Sequence, residues 1–239
     1  MEAYSYKDGK DGKFWVIEGG ETALVVNYGK TGAIGRFQLR EFANSTDCNK
    51  EKQRRIASKL KEGYEPMRGF DRNSRYYFDD PKYGLHPLTS HPKFRGHFKD
   101  ELYYSSLKEE APFGSQEGSS VLSKIEDAIR RERDFSFSAF PRRCVEKYWG
   151  MKYSPAEDTD RETVQGLVEE NGTGVAHSDF VTYASAFAQI KISGRVDSDL
   201  KRRALRALKR LSLAAEILNW KSGENIMSLD KMARDLESF

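Results

Sequence analysis

Asn27-Tyr28-Gly29-Lys30-Thr31-Gly32-Ala33-Ile34-Gly35 is the stretch whose reading decides the fold. A strand pattern enters it, a second strand pattern leaves it, and three glycines lie between. Upstream, Lys13-Phe14-Trp15-Val16-Ile17-Glu18 has the aromatic and β-branched content of a strand. Gly19-Gly20 predicts a two-residue hairpin, because both positions tolerate positive φ. The return strand then runs from Glu21 to Tyr28. Downstream, Ile34 to Phe42 alternates: Arg36, Gln38 and Arg40 point one way, and Phe37 and Leu39 the other. Asn44-Ser45-Thr46-Asp47 is rich in N-cap residues and should start a helix. That helix runs to about Glu62, and Gly63 suits the left-handed C′ position. Its apolar stripe is thin, with Cys48, Ile56, Ala57 and Leu60. Lys50, Lys52, Arg54, Arg55, Lys59 and Lys61 cover the rest, and a solvated helix face accounts for them without a function.

This order of strand, glycine loop, strand and helix resembles the WGR domain. That module is known from DNA-damage-activated ADP-ribosyltransferases and from bacterial proteins likened to a molybdate metabolism regulator. Phe14-Trp15-Val16-Ile17 in the first strand, Thr31-Gly32 and Gly35 in the loop, Phe42 before the helix and Lys61-Glu62-Gly63-Tyr64 after it carry the resemblance. Tyr28, Gly29 and Lys30 stand where the family has tryptophan, glycine and arginine. The resemblance implies an antiparallel sheet with one packed helix, and a loop that touches DNA ends. It implies contacts from Tyr28, Gly29 and Lys30, to which the basic strand residues Arg36 and Arg40 add. The chemistry is plausible residue by residue. Glycines let the backbone approach a phosphate. A cation meets phosphate oxygens, and a ring stacks on a base or sugar. Lysine offers a point charge where arginine has a planar fork, and tyrosine has less ring than tryptophan, so both changes predict weaker binding. The alternative is a plain turn or a protein contact, in which the glycines serve geometry alone.

Outside this region the reading is coarser. Residues 1–12 are polar and glycine-bearing and read as a flexible tail. Five of the seven prolines fall from Pro66 to Pro112, among Tyr76-Tyr77-Phe78, Asp79-Asp80-Pro81 and the histidines His86, His91 and His97. Residues 69–118 therefore predict an aromatic, loop-rich part packed over the core of a helical domain at 69–239, after a WGR-like domain at 13–68. In that second domain Val121, Leu122, Ile125, Ala128 and Ile129 form one stripe, with Ser119 as a candidate N-cap. A short helix is expected from Thr163 to Glu170. Ser178-Asp179 should cap a helix carrying Phe180, Tyr183, Ala184, Phe187 and Ile190, ended by Gly194. Asp197 or Ser198 should cap a central helix from Leu200 to Trp220. There Leu200, Ala204, Leu208, Leu211, Ala215 and Leu218 are apolar, and Arg202, Arg203, Arg206, Lys209 and Arg210 form a basic face, replaced by Leu213, Ile217 and Trp220. A last helix lies near Ser228 to Leu236. The fold class is α+β, a sheet with one helix followed by an all-α domain.

Bulk properties bound the function. With 239 residues there is chain enough for two modest domains, and 38% hydrophobic with 32% charged residues is a globular composition. A net charge of +3 is too mild to imply nucleic-acid binding by itself, so the distribution of charge must decide. Cys48 and Cys144 are distant and read as reduced thiols. No signal-peptide core and no span of ~20 apolar residues is present, which predicts a cytoplasmic protein with no membrane partner. Gly29-Lys30-Thr31 is not a phosphate-binding P-loop, because Leu24 stands where that motif needs glycine. The histidine and aspartate spacings match no zinc or two-histidine-carboxylate signature, and His177 reads as a local hydrogen-bonding residue. No cofactor, metal or catalytic motif is predicted. The sequence thus points to a non-enzymatic binding or regulatory protein contacting nucleic acid, DNA ends or the phosphate backbone, through Tyr28, Gly29, Lys30, Arg36 and Arg40. The alternative is a protein-interaction module whose helical domain carries the partner surface.

Overall fold

Strands β1 (Glu2–Asp8), β2 (Asp11–Gly19), β3 (Ala23–Lys30), β4 (Arg36–Glu41) and β5 (Glu65–Pro66) form one antiparallel sheet in the order β4-β3-β2-β1-β5. The computed structural model describes residues 1–8, 11–157, 159–218 and 223–239. It divides into two units, Met1–Arg95 and Gly96–Phe239.

The expected tail is a strand. β1 pairs with β2 from Glu2 opposite Ile17 onward. The cause is alternation: Tyr4 and Tyr6 share one face, and Tyr4 is buried with its ring 5.7 Å from Trp15. The hairpin also differs from expectation. Gly19 pairs with Leu24, and residues 20–23 make the turn, closed by the Gly20 N–H donating to the Ala23 carbonyl at 2.8 Å. Neither Gly19 nor Gly20 has positive φ, since a four-residue turn does not require it.

Helix α1 (Ser45–Lys61) is closed at both ends by local chemistry. The Asn44 side chain accepts from the Asp47 N–H at 2.9 Å. At the other end Gly63 has φ +88°, and the Tyr64 and Gly63 N–H groups donate to the Lys59 and Leu60 carbonyls, a Schellman motif. α1 covers the sheet face made by Tyr4, Trp15, Ile17, Leu24 and Val26, against which it buries Cys48 and Ile56. Ala57 and Leu60 are exposed instead of joining that stripe. Lys52 occupies the turn between Cys48 and Ile56 and pairs with Glu2 at 2.9 Å.

The second sheet face is apolar too, with Phe14, Val16, Val25, Phe37 and Leu39 buried. Residues 70–95 cover it, so the loop-rich segment is shared: this part belongs to the sheet and not to the helical domain. The Tyr77 ring lies 5.8 Å from Phe37. The Arg75 guanidinium sits 4.3 Å over the Phe14 ring and donates to Asn27 Oδ1 at 3.0 Å. Arg95 pairs with Glu18 at 2.5 Å. At the sheet edge, the Leu39 N–H donates to Asp80 Oδ2 at 2.7 Å and the Lys82 N–H to Asp80 Oδ1 at 2.8 Å. A sheet with two apolar faces needs cover on both, which the first-domain boundary drawn at 68 did not supply.

α2 (Pro92–His97) crosses the boundary into the second unit, which is helical: α3 (Gln116–Arg131), α4 (Phe140–Arg143) running into a π turn at Cys144–Tyr148, α5 (Arg161–Ser193), α6 (Ser198–Ile217) and α7 (Gly223–Ser238). Ser115, not Ser119, caps α3, its hydroxyl accepting from the Gly118 N–H at 2.9 Å. The two helices expected between Thr163 and Ile190 are one kinked element. It breaks at Asn171 (φ −158°), whose side chain accepts from the Gly174 N–H and restarts the helix. Ser178 and Asp179 are therefore not caps but buried positions inside α5. Residues 181–192 are buried on every side, so α5 is the central helix, a role the sequence had suggested for α6. Gly194 (φ +68°) ends it. In α6 the apolar stripe is buried from Leu200 to Ala215, while Leu218 is 52% exposed. Trp220 lies outside the described residues. Arg210 leaves the basic face altogether. It is 1% exposed, and its Nε and Nη2 donate to both oxygens of Asp179 at 2.8 Å, with further bonds to the Ser154 and Pro155 carbonyls.

Candidate nucleic-acid interface

The glycine loop is built by close packing as well as by turn geometry. Gly35 has φ +82°, and a Cβ there would stand 2.5 Å from the Phe14 ring and 2.7 Å from the Tyr28 carbonyl oxygen. A Cβ on Gly29 would stand 2.9 Å from Gly35 Cα. Gly29 and Gly35 thus draw the two strands together over Phe14, so Gly29 already has a packing role before any ligand is considered.

Register decides which side chains share a face. Tyr28 is opposite Arg36 and Trp15, Val26 is opposite Gln38, and Leu24 is opposite Arg40. Tyr28, Arg36, Gln38 and Arg40 therefore lie on the face that carries α1. Lys30 follows Tyr28 on that face by alternation and is exposed, directly across from Lys13.

α1 turns its cations toward the same place. A cleft of about 340 Å³ opens between helix and sheet, lined by Trp15, Val26, Tyr28, Gln38, Arg54, Arg55, Ser58, Lys59 and Tyr64. Tyr28 is half-buried in it. Arg54, Arg55 and Lys59, read from sequence as a solvated face, are its cationic wall, and Trp15 and Tyr64 were not anticipated there. Spacing alone carried part of the signal, since Arg55 and Lys59 are one helical turn apart. Arg40 lies four residues from Arg36, roughly 13 Å along the strand by its rise. It sits over the Phe42 ring at 5.2 Å and bonds Glu51, so it stands apart from the Tyr28 group.

Glu51 organises three guanidinium groups. Arg54 and Arg55 bond it at 2.7 and 2.8 Å, and Arg40 at 3.2 Å. These contacts, Arg54 first, hold its carboxyl down at about 2, against an ordinary 4.5. The folded-state value is the lower one, so this stabilisation is complete above about pH 4.5 and fades as pH falls through 2. Comparing urea midpoints across that window, Glu51→Gln is expected to lose less stability on acidification than wild type. An equal loss in both would contradict this assignment.

The remaining candidate groups serve local structure. His86 Nδ1 accepts from the Leu88 N–H and His91 Nδ1 from the Lys93 N–H. His177 lies inside α5 with Nδ1 2.6 Å from the Glu117 carboxylate. Among the described residues no three His, Cys, Asp or Glu side chains gather as metal ligands, and no helix is long and apolar enough to cross a membrane. Both thiols are free and buried, and burial pushes Cys144 up to about 11.

A five-stranded antiparallel sheet, one helix capped Asn-to-Gly and a Tyr-Gly-Lys loop at the strand end define a WGR-domain protein, and residues 3–71 match the WGR domain family. The chain is 44% identical over 238 residues to the uncharacterized protein YfeS of Escherichia coli K12, spanning 99% of this chain and 97% of that one, and it belongs to the same family. It is also similar to protein YehF of that organism, at 33% identity over 64 residues, which are 27% of this chain and 23% of YehF. A crystal structure from Bacteroides fragilis shares 21% identity, spans 52% of this chain and 38% of that one, and has a TM-score of 0.28, too low to inform the fold.

Proposed function

We propose that the protein is a non-enzymatic binding or regulatory protein whose WGR unit contacts the phosphate backbone of nucleic acid, DNA ends included. One observation carries this reading. Cations from two elements, Lys30 and Arg36 of the sheet and Arg54, Arg55 and Lys59 of α1, flank a single face around Tyr28. A net charge of +3 becomes relevant to a polyanion when it is concentrated in this way. About six such phosphate contacts make affinity fall steeply with salt. A second reading, a protein partner on the helical unit, is favoured by Met227 in α7 and Leu218 beyond α6, which present apolar side chains to solvent.

Fluorescence anisotropy of the whole protein with a 5′-phosphorylated duplex, an unphosphorylated blunt duplex and a single strand, each at two salt concentrations, tests the proposal. Binding near the micromolar range that weakens with salt is expected. No binding at low salt overturns it and favours the protein-partner reading.

A further inference from the structure

Resting on that reading, we infer that the cleft between α1 and the sheet seats one unpaired nucleotide, so that the preferred nucleic acid carries a single-stranded end and not a flush one. The cleft is distinct from the exposed strand cations. Its floor is Trp15 and Val26, both almost inaccessible, and its sides carry the half-buried rings of Tyr28 and Tyr64. The Tyr64 ring is already engaged, with Lys59 Nζ 5.0 Å over it and the Tyr6 ring 5.4 Å away, so Tyr28 is the ring left for a base to stack upon.

Volume and chemistry narrow the occupant. About 340 Å³ is at the lower end of small-ligand sites, which span roughly 300–1,000 Å³. One base with its sugar fits such a space, and a base held in a duplex stack has to leave its pairing partner to enter a pocket. Every charged side chain lining it is cationic: Arg54, Arg55 and Lys59. Their carboxylate partners Glu51 and Glu62 are not part of the lining and hold them from outside. Arg54 gives Glu51 its Nε and Nη2, and Arg55 its Nε. A guanidinium has five N–H donors, so each has capacity for a phosphate as well. Gln38 and Ser58 supply neutral donors and acceptors suited to a base edge or a sugar hydroxyl. A nucleotide uses the cations with its phosphate and the hollow with its base.

The test compares a blunt duplex with a duplex bearing a short single-stranded overhang, matched in phosphate number, against wild type and Ser58→Leu. Ser58 is exposed on α1 and lines the cleft, and a leucine there takes up its space without changing charge or adding a ring to stack on. Wild type is expected to prefer the overhang by about tenfold. In Ser58→Leu the ratio of the two affinities is expected to fall to about one, with an unchanged circular-dichroism melt. A wild-type ratio of one, or a preference that survives in folded Ser58→Leu, overturns the inference and leaves backbone binding standing. Failure of wild type to bind either duplex overturns backbone binding itself.

Discussion

Replacing Asp179 by alanine is expected to destabilise the helical unit by about 3–5 kcal/mol, the cost of stranding a buried charge. Arg210 is 1% exposed and spends two of its nitrogens on that one carboxylate. A guanidinium cannot discharge by losing a proton, so the alanine variant leaves a cation in the core whose hydrogen-bond partners among the described residues are the Ser154 and Pro155 carbonyls. The reverse change is milder. Burial pushes the Asp179 carboxyl up to about 7, and Arg210 pulls it down. Without Arg210 the carboxyl can take a proton and remain inside as a neutral group. Arg210→Met should therefore cost less than Asp179→Ala, and Asp179→Leu combined with Arg210→Met should recover much of the loss. Urea unfolding followed by far-ultraviolet circular dichroism measures all three. A loss below about 1 kcal/mol in Asp179→Ala, or equal losses in the two single variants, would refute this account of the pair.

The second large effect concerns the loop. Lys30→Glu is expected to weaken nucleic-acid binding at least about tenfold and to reduce the salt slope by at least about 1. Lys30 is exposed at the end of β3, and a glutamate there meets Lys13 across the strands in place of a second lysine. Lys30 is exposed, so thermal stability should change little, which separates lost contact from lost fold. Arg40→Glu is the internal comparison. Arg40 already bonds Glu51 and stands away from the Tyr28 group, so its reversal should weaken binding less. Lys30→Glu binding as tightly as wild type would remove the loop from the interface.

The parts of this fold that were legible from sequence are those fixed by local rules. Period-two alternation gave the two faces of β4, because Phe37 and Leu39 cannot both be buried in any other phase. Asn44 and Gly63 marked α1 because caps are local hydrogen-bond chemistry. The first strand was missed because Tyr4 and Tyr6 alternate within a stretch too polar to advertise a core, and their packing partners, Trp15 for Tyr4 and Tyr64 for Tyr6, lie elsewhere in the sequence. At the candidate site, the Tyr28 loop and the Arg36, Gln38 and Arg40 face were readable. The cleft was not. Whether Arg54, Arg55 and Lys59 look toward Tyr28 depends on how α1 lies across the sheet, and periodicity carries no information about that angle. Arg210 shows the same limit in the helical unit. It sat in phase with a basic stripe, and its partner is 31 residues away.

Asp80 has a consequence for how copies of this chain behave toward one another. β4 is the last strand of its sheet, and the outward-pointing amides of a terminal strand are a template on which a neighbouring molecule can add its own. The Asp80 carboxylate occupies the Leu39 amide, and its second oxygen is tied to Lys82. Arg36, Arg40 and Glu41 place charge along the same strand. The loop that shields the sheet's second face thus also terminates it, and guards a crowded solution of these molecules against strand-by-strand aggregation.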